Sequence, residues 1–104
     1  MFPDIIKKMH SDNSGVEGLE VYYDHTPIGT IYFMSTKNPF TLPEHSHAEQ
    51  FGIVMSGEVT YKINGETKIY KAGENYTIPA EIKHITSYSA DFSEMGYVDD
   101  PNYS

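Results

Sequence analysis

The stretch EVTYKINGETKIYK, residues 58–71, constrains the fold more than any other part of the chain. Val59, Tyr61 and Ile63 alternate with polar residues, the period of a strand with one covered face. Asn64-Gly65 follows, the pair best suited to the two positive φ angles of a type I′ turn. Residues 66–71 then return antiparallel. A lone hairpin is marginal in water, so its apolar face needs further strands against it.

The remaining sequence supplies them. LEVYYD (19–24) and IGTIYFMS (28–35) are rich in β-branched and aromatic residues. QFGIVMS (50–56) is almost continuously apolar and reads as a buried strand. NYTIP is a short strand stopped by Pro79, and KHITSYS (83–89) and EMGYV (94–98) complete the set. TKNPFTLPE (36–44) holds two prolines and reads as irregular extended chain. Near the N-terminus, Pro3 suits a first helical position, and Ile5, Ile6 and Met9 share the face of one or two helical turns. SDNSG (11–15) is a loop. Eight or nine short strands with little helix predict an all-β sandwich or barrel. In 104 residues that is one domain, with residues 1–18 as an N-terminal segment and 19–104 as the barrel.

Charge narrows the partners. The formal net charge is −8, from 15 acidic and 7 basic residues. A nucleic-acid backbone calls for a basic surface, so nucleic acid is not an expected partner. Every basic residue is lysine; without arginine the chain has no bidentate guanidinium clamp for a carboxylate or phosphate. Lys37 or Lys83 would have to take that part. There is no cysteine, which removes disulfides, thiolate zinc sites and thiol catalysis. No apolar run is long enough for a membrane span, no secretory leader is evident, and the cytoplasm is the expected location.

Chemistry concentrates at PEHSHAEQFG. His45 and His47 are two residues apart, and on a strand such residues project from one face. Two imidazoles so placed chelate one ion if a third ligand approaches from a neighbouring strand; otherwise they are solvated polar residues near a strand end. Gln50, Gly52 and Val54 share a face of the next run, with Gly52 leaving space beside Gln50. His84 opens a strand further on, with Thr86 and Tyr88 in phase. His10 and His25 are expected on the surface, and Asp99-Asp100 in a solvated tail.

At these residues the chain resembles a family. HSHAEQFGIVMSG looks like the first cupin motif: His-x-His, a carboxylate or amide, then a glycine seven residues on, as from Gln50 to Gly57. GENYTIPAEIKH (73–84) looks like the second: glycine, five residues, proline, four residues, histidine. The two motifs flank the 58–71 hairpin, and the resemblance runs from about Ile28 to Val98. It implies a double-stranded β-helix, a jelly-roll barrel. It also implies one divalent transition metal (Zn, Ni, Fe, Co or Mn) held by His45, His47, Gln50 and His84. Three departures stand out: the spacer between His47 and Gln50 is short, the customary glutamate is glutamine, and the glycine two after the motif proline is Glu81. The short spacer leaves Glu49 as an alternative ligand; the distance to Gly57 favours Gln50, because Glu49 would point to the opposite face.

A neutral ligand set would leave the ion's charge uncompensated, which suits Lewis-acid and proton-transfer chemistry. The expected function is therefore that of a metal-dependent isomerase, cyclase, lyase or dioxygenase acting on a small organic substrate. Tyr88, in phase with His84, is the candidate catalytic residue. The alternative is a non-catalytic module that binds or senses a small ligand or a metal. An open jelly-roll edge favours pairing, so a homodimer is expected, through IGTIYFMS or the N-terminal strand.

Overall fold

The computed structural model of the protein describes residues 2–11 and 15–104. Among the described residues, ten strands follow one four-residue helix. The helix α1 is Asp4–Lys7, and Pro3 sits outside it as an extended cap (φ −69°, ψ 162°) rather than as its first helical residue. The strands are β1 His10–Ser11, β2 Leu19–His25, β3 Thr30–Thr36, β4 Phe40–His45, β5 Gln50–Ser56, β6 Glu58–Ile63, β7 Glu66–Lys71, β8 Asn75–Ile78, β9 His84–Tyr88 and β10 Phe92–Val98. They form two antiparallel sheets, one in the order β1-β2-β3-β10-β5-β8 and the other β4-β9-β6-β7. This is the jelly-roll expected of the sequence. The 58–71 hairpin pairs in full register around Asn64 and Gly65, both at positive φ.

Three local readings change. QFGIVMS is not buried on both faces: Gln50, Gly52 and Val54 face inward, and Phe51, Ile53 and Met55 are exposed on the outer face. A strand in a two-layer sandwich has one covered face, and a run of apolar residues does not distinguish the two. The proline-bearing stretch after Thr36 does form a strand, β4, but at the edge of its sheet. Its ladder with β9 pairs Leu42 with Thr86 and His45 with His84, so two residues of β4, Pro43 and Glu44, stand against one of β9, Ile85. That bulge at Pro43-Glu44 resets the in–out alternation. Leu42 and His45 both face the interior as a result, where strict alternation would have turned Glu44 inward.

The interior is arranged in layers set by register. One runs across the larger sheet through Tyr23, Tyr32, Gly96, Gly52 and Tyr76. The two glycines in its centre leave room for side chains from either side. A Cβ at Gly52 would lie 2.5 Å from the Tyr76 hydroxyl, and one at Gly96 would lie 2.5 Å from the Tyr32 hydroxyl. The next layer holds Met34, Glu94 and Val54. The opposing sheet contributes Val59, Tyr61, Thr86 and Tyr88, all buried. Aromatic rings fill much of the space, with Tyr61 and Tyr76 4.9 Å apart and Tyr88 and Phe92 4.9 Å apart. Each such pair is worth about 1 kcal/mol beyond its buried area. Outside the barrel, the N-terminal segment pairs β1 with β2 and seats Phe2 against Tyr22 and Phe33. Among the described residues no helix is long and apolar enough to cross a membrane.

Candidate metal centre and its cavity

His45, His47 and His84 converge at one end of the barrel, their ligand nitrogens within 4.8 Å of one another. His45 ends β4 and His84 begins β9, paired directly across the ladder. Their rings are 4.3 Å apart. His47 lies beyond β4, in the loop before β5, so a shared strand face is not what brings it in. Instead the loop is tied to the second motif, where the Glu81 amide donates to the His47 carbonyl at 2.8 Å. Glu81 makes this bond with φ at 61°, the left-handed region that a glycine enters without cost. The family's glycine at that place is thus explained by backbone conformation, and this chain accepts about 1–2 kcal/mol of strain to keep glutamate there.

Each imidazole is held by the same device. His45 Nδ1 donates to the Pro43 carbonyl at 2.8 Å, His47 Nδ1 to Ala48 at 2.7 Å and His84 Nδ1 to Ile82 at 2.8 Å. A carbonyl only accepts, so all three rings carry a proton on Nδ1, and Nε2 is the nitrogen left to face a ligand. Burial lowers the pKa of His47 and of His84, because the interior disfavours imidazolium. Three imidazole nitrogens presented to one point could hold a metal ion, and the donor chemistry fits a borderline divalent transition metal.

Gln50 is buried and lines the same cavity, while Glu49 is exposed. The Gln50 amide nitrogen donates to the Tyr32 hydroxyl at 2.6 Å, which leaves its carbonyl oxygen as the atom available to a ligand. The cavity behind the histidines has a volume of about 280 Å³. Phe40, Tyr32, Tyr61, Tyr88 and Tyr103 supply most of its aromatic wall. Tyr88 lies four residues along β9 from His84 and stacks on Phe40 with rings 6.5 Å apart. Burial first, then the charge of Glu94, raises the pKa of Tyr32, Tyr61 and Tyr88 well above the usual phenol value, so these hydroxyls stay protonated.

Sequence reasoning missed Glu94. This carboxylate lines the cavity with no exposure to solvent. The Tyr76 hydroxyl donates to Glu94 Oε2, and Tyr61 donates to Tyr76 at 2.7 Å. Glu94 Oε1 is buried and has no partner. Burial, only partly offset by the bonds from Tyr76 and Tyr32, raises its pKa from 4.5 to about 7. A signal did exist: Phe92, Glu94, Gly96 and Val98 alternate on β10, and a carboxylate on the apolar phase of a strand needs an explanation.

Other candidates fall outside. His10 and His25 are exposed, as expected, with rings 5.9 Å apart. Asp99 is exposed, and the Asp100 carboxylate accepts from the Asn102 amide within a turn. Lys37 and Lys83 are exposed, and no lysine lines the cavity. Tyr97 turns outward and donates to the Ile28 carbonyl at 3.0 Å.

Two sheets closed around a histidine cluster define a jelly-roll of the metal-site type. A cupin-domain family profile matches residues 34–91, more than half of the chain, and the protein belongs to that family. No curated relative matches by sequence. Among solved structures, a cupin superfamily protein from Desulfitobacterium hafniense aligns with a TM-score of 0.74 at 10% identity, over 86% of this chain and 84% of that one. KdgF from a Halomonas species aligns with a TM-score of 0.71 at 15% identity, over 89% and 88%. Oxalate decarboxylase from Bacillus subtilis aligns with a TM-score of 0.74 at 15% identity, over 95% of this chain but only 29% of its own. At such identities the likeness is one of fold.

Proposed function

We propose that the protein is a metal-dependent enzyme that moves a proton on a small organic substrate in the barrel cavity. The observation that carries this reading is the convergence of three Nδ1-anchored histidines on one point at the mouth of an aromatic cavity. His45, His47 and His84, with the Gln50 carbonyl oxygen as a fourth donor, would hold the ion. A bound divalent ion supplies Lewis acidity, polarising a substrate oxygen. The chain's own residues do the rest. The Gln50 amide nitrogen is tied to Tyr32, which leaves its carbonyl oxygen for the ion. The aromatic walls exclude water and confine the substrate. Tyr88, held protonated by burial, is the candidate proton donor. The test is a screen of small carbonyl and enol substrates with metal-loaded wild type, Gln50→Ala and Tyr88→Phe. Turnover in wild type that falls at least about tenfold in Tyr88→Phe at unchanged metal content, and in Gln50→Ala together with metal affinity, is the expected outcome. Ligand binding with no turnover of any compound would establish the alternative, a binding or sensing module.

We also propose that the protein forms a homodimer. An edge-to-edge contact through β3 is closed, because β2 and β10 pair with both of its sides. What supports association is the outer face of β5, where Phe51, Ile53 and Met55 are each 38–42% exposed in one row. Light scattering is expected to give a dimer for wild type and a monomer for Phe51→Lys; a monomeric wild type removes the proposal.

A further inference from the structure

Glu94 has no part in the metal chemistry above, yet it sets the character of the inner cavity. Its side chain is fully buried and lines the cavity, and Oε1 has no hydrogen-bond partner. Buried polar atoms are almost always paired, so an orphan carboxylate oxygen at a cavity wall marks a place where a donor is missing. Gly52 on β5 makes room for the carboxylate itself, since a Cβ there would lie 2.7 Å from Glu94 Oε2. The carboxylate is also the one acidic side chain among the lining residues, and no lysine offsets it. Tyr23, Tyr32, Tyr61, Tyr88 and Tyr103 line the cavity with it, and the Tyr76 hydroxyl donates to its Oε2.

We propose that the inner cavity is a binding site for a small organic cation, a protonated amine on an apolar body, with its ammonium group against Glu94 Oε1. Three features carry this. An ammonium brings the donor that Oε1 lacks and the charge the carboxylate needs. Aromatic rings attract a cation through their negative faces. About 280 Å³ exceeds the roughly 150 Å³ that suffices for benzene, leaving space for a one-ring body and its head group. At the Glu94 end of the cavity an anion meets the opposite conditions, a buried carboxylate with no lysine among the lining residues. The proposal deepens the enzymatic reading, since the amine would hold one end of a substrate whose other end lies at the histidines. Its binding arm does not depend on that reading.

The test titrates the full chain, metal-loaded and metal-free, with benzylamine, benzyl alcohol and benzoate at about pH 8, where Glu94 is ionised. Calorimetry is expected to show benzylamine binding at least about tenfold more tightly than benzyl alcohol, with benzoate weakest in the metal-free protein. Glu94→Gln is expected to bind amine and alcohol equally. Wild type alone decides the matter if that variant does not fold. Equal affinity for amine and alcohol, tightest binding of benzoate to the metal-free protein, no binding of any of the three, or a preference surviving in folded Glu94→Gln would each overturn the proposal. Metal content measured on the same samples reports separately on the histidine centre.

Discussion

His47→Ala is expected to lower the affinity for a divalent transition metal by at least about a hundredfold while leaving the metal-free fold intact. His47 is half-buried in the loop before β5, so its truncation removes little core. Its Nε2 is one of only three imidazole nitrogens converging on the site. Losing a group that merely orients a ligand costs about 10–100-fold, and losing a ligand costs more. Thermal denaturation provides the clearest readout. A metal at a hundred times its dissociation constant stabilises the folded state by about 2.7 kcal/mol, and that increment should disappear in the variant. Metal analysis after loading supplies the second measure: about one equivalent for wild type and a small fraction for His47→Ala. Full occupancy in the variant would mean that His47 is not a ligand. Wild type that takes up less than about a tenth of an equivalent would remove the metal centre altogether.

The second large effect is a pH dependence located at Glu94. Its folded-state pKa is raised from 4.5 to about 7, with burial as the main cause. A raised carboxyl pKa means that the folded protein holds the proton more tightly than the unfolded chain. Stability from this group is therefore fully present below about pH 4.5 and is lost as pH rises through about 7. A shift of that size corresponds to about 3 kcal/mol. Glu94→Gln keeps the shape and does not titrate, so the difference between the two proteins isolates the effect from the histidines. Urea denaturation of the metal-free proteins is expected to show Glu94→Gln gaining about 3 kcal/mol relative to wild type between pH 4.5 and pH 8. A difference that stays constant over this range would show that the carboxyl is ionised normally, with water or another donor at Oε1.

These two residues also show how far the chain can be read without its fold. His47 was legible because the His-x-His spacing and IPAEIKH together describe one ligand set, and the structure brings His45, His47 and His84 to one point. The route was not legible. A shared strand face explains His45 and would have explained His47, but His47 lies in the loop, held there by the Glu81 amide. Glu94 was missed because EMGYV offers two phases, and only pairing with Met34 on one side and Val54 on the other turns the carboxylate inward. The apolar run QFGIVMS misled for a related reason, since three of its side chains face outward.

By itself the sequence determined what depends on neighbours along the chain. The 58–71 hairpin follows from alternation and Asn64-Gly65, the strands from β-branched runs between turn residues, and the three candidate imidazoles from two short motifs. Tertiary structure decided which side of each strand is inside. On a pleated strand one inserted residue exchanges the two faces, and the bulge at Pro43-Glu44 does so for His45. It also brought Gly52 and Gly96 opposite each other, opening the space into which Tyr32, Tyr76 and Glu94 reach. That space depends on register between strands more than forty residues apart, a non-local quantity no local pattern encodes.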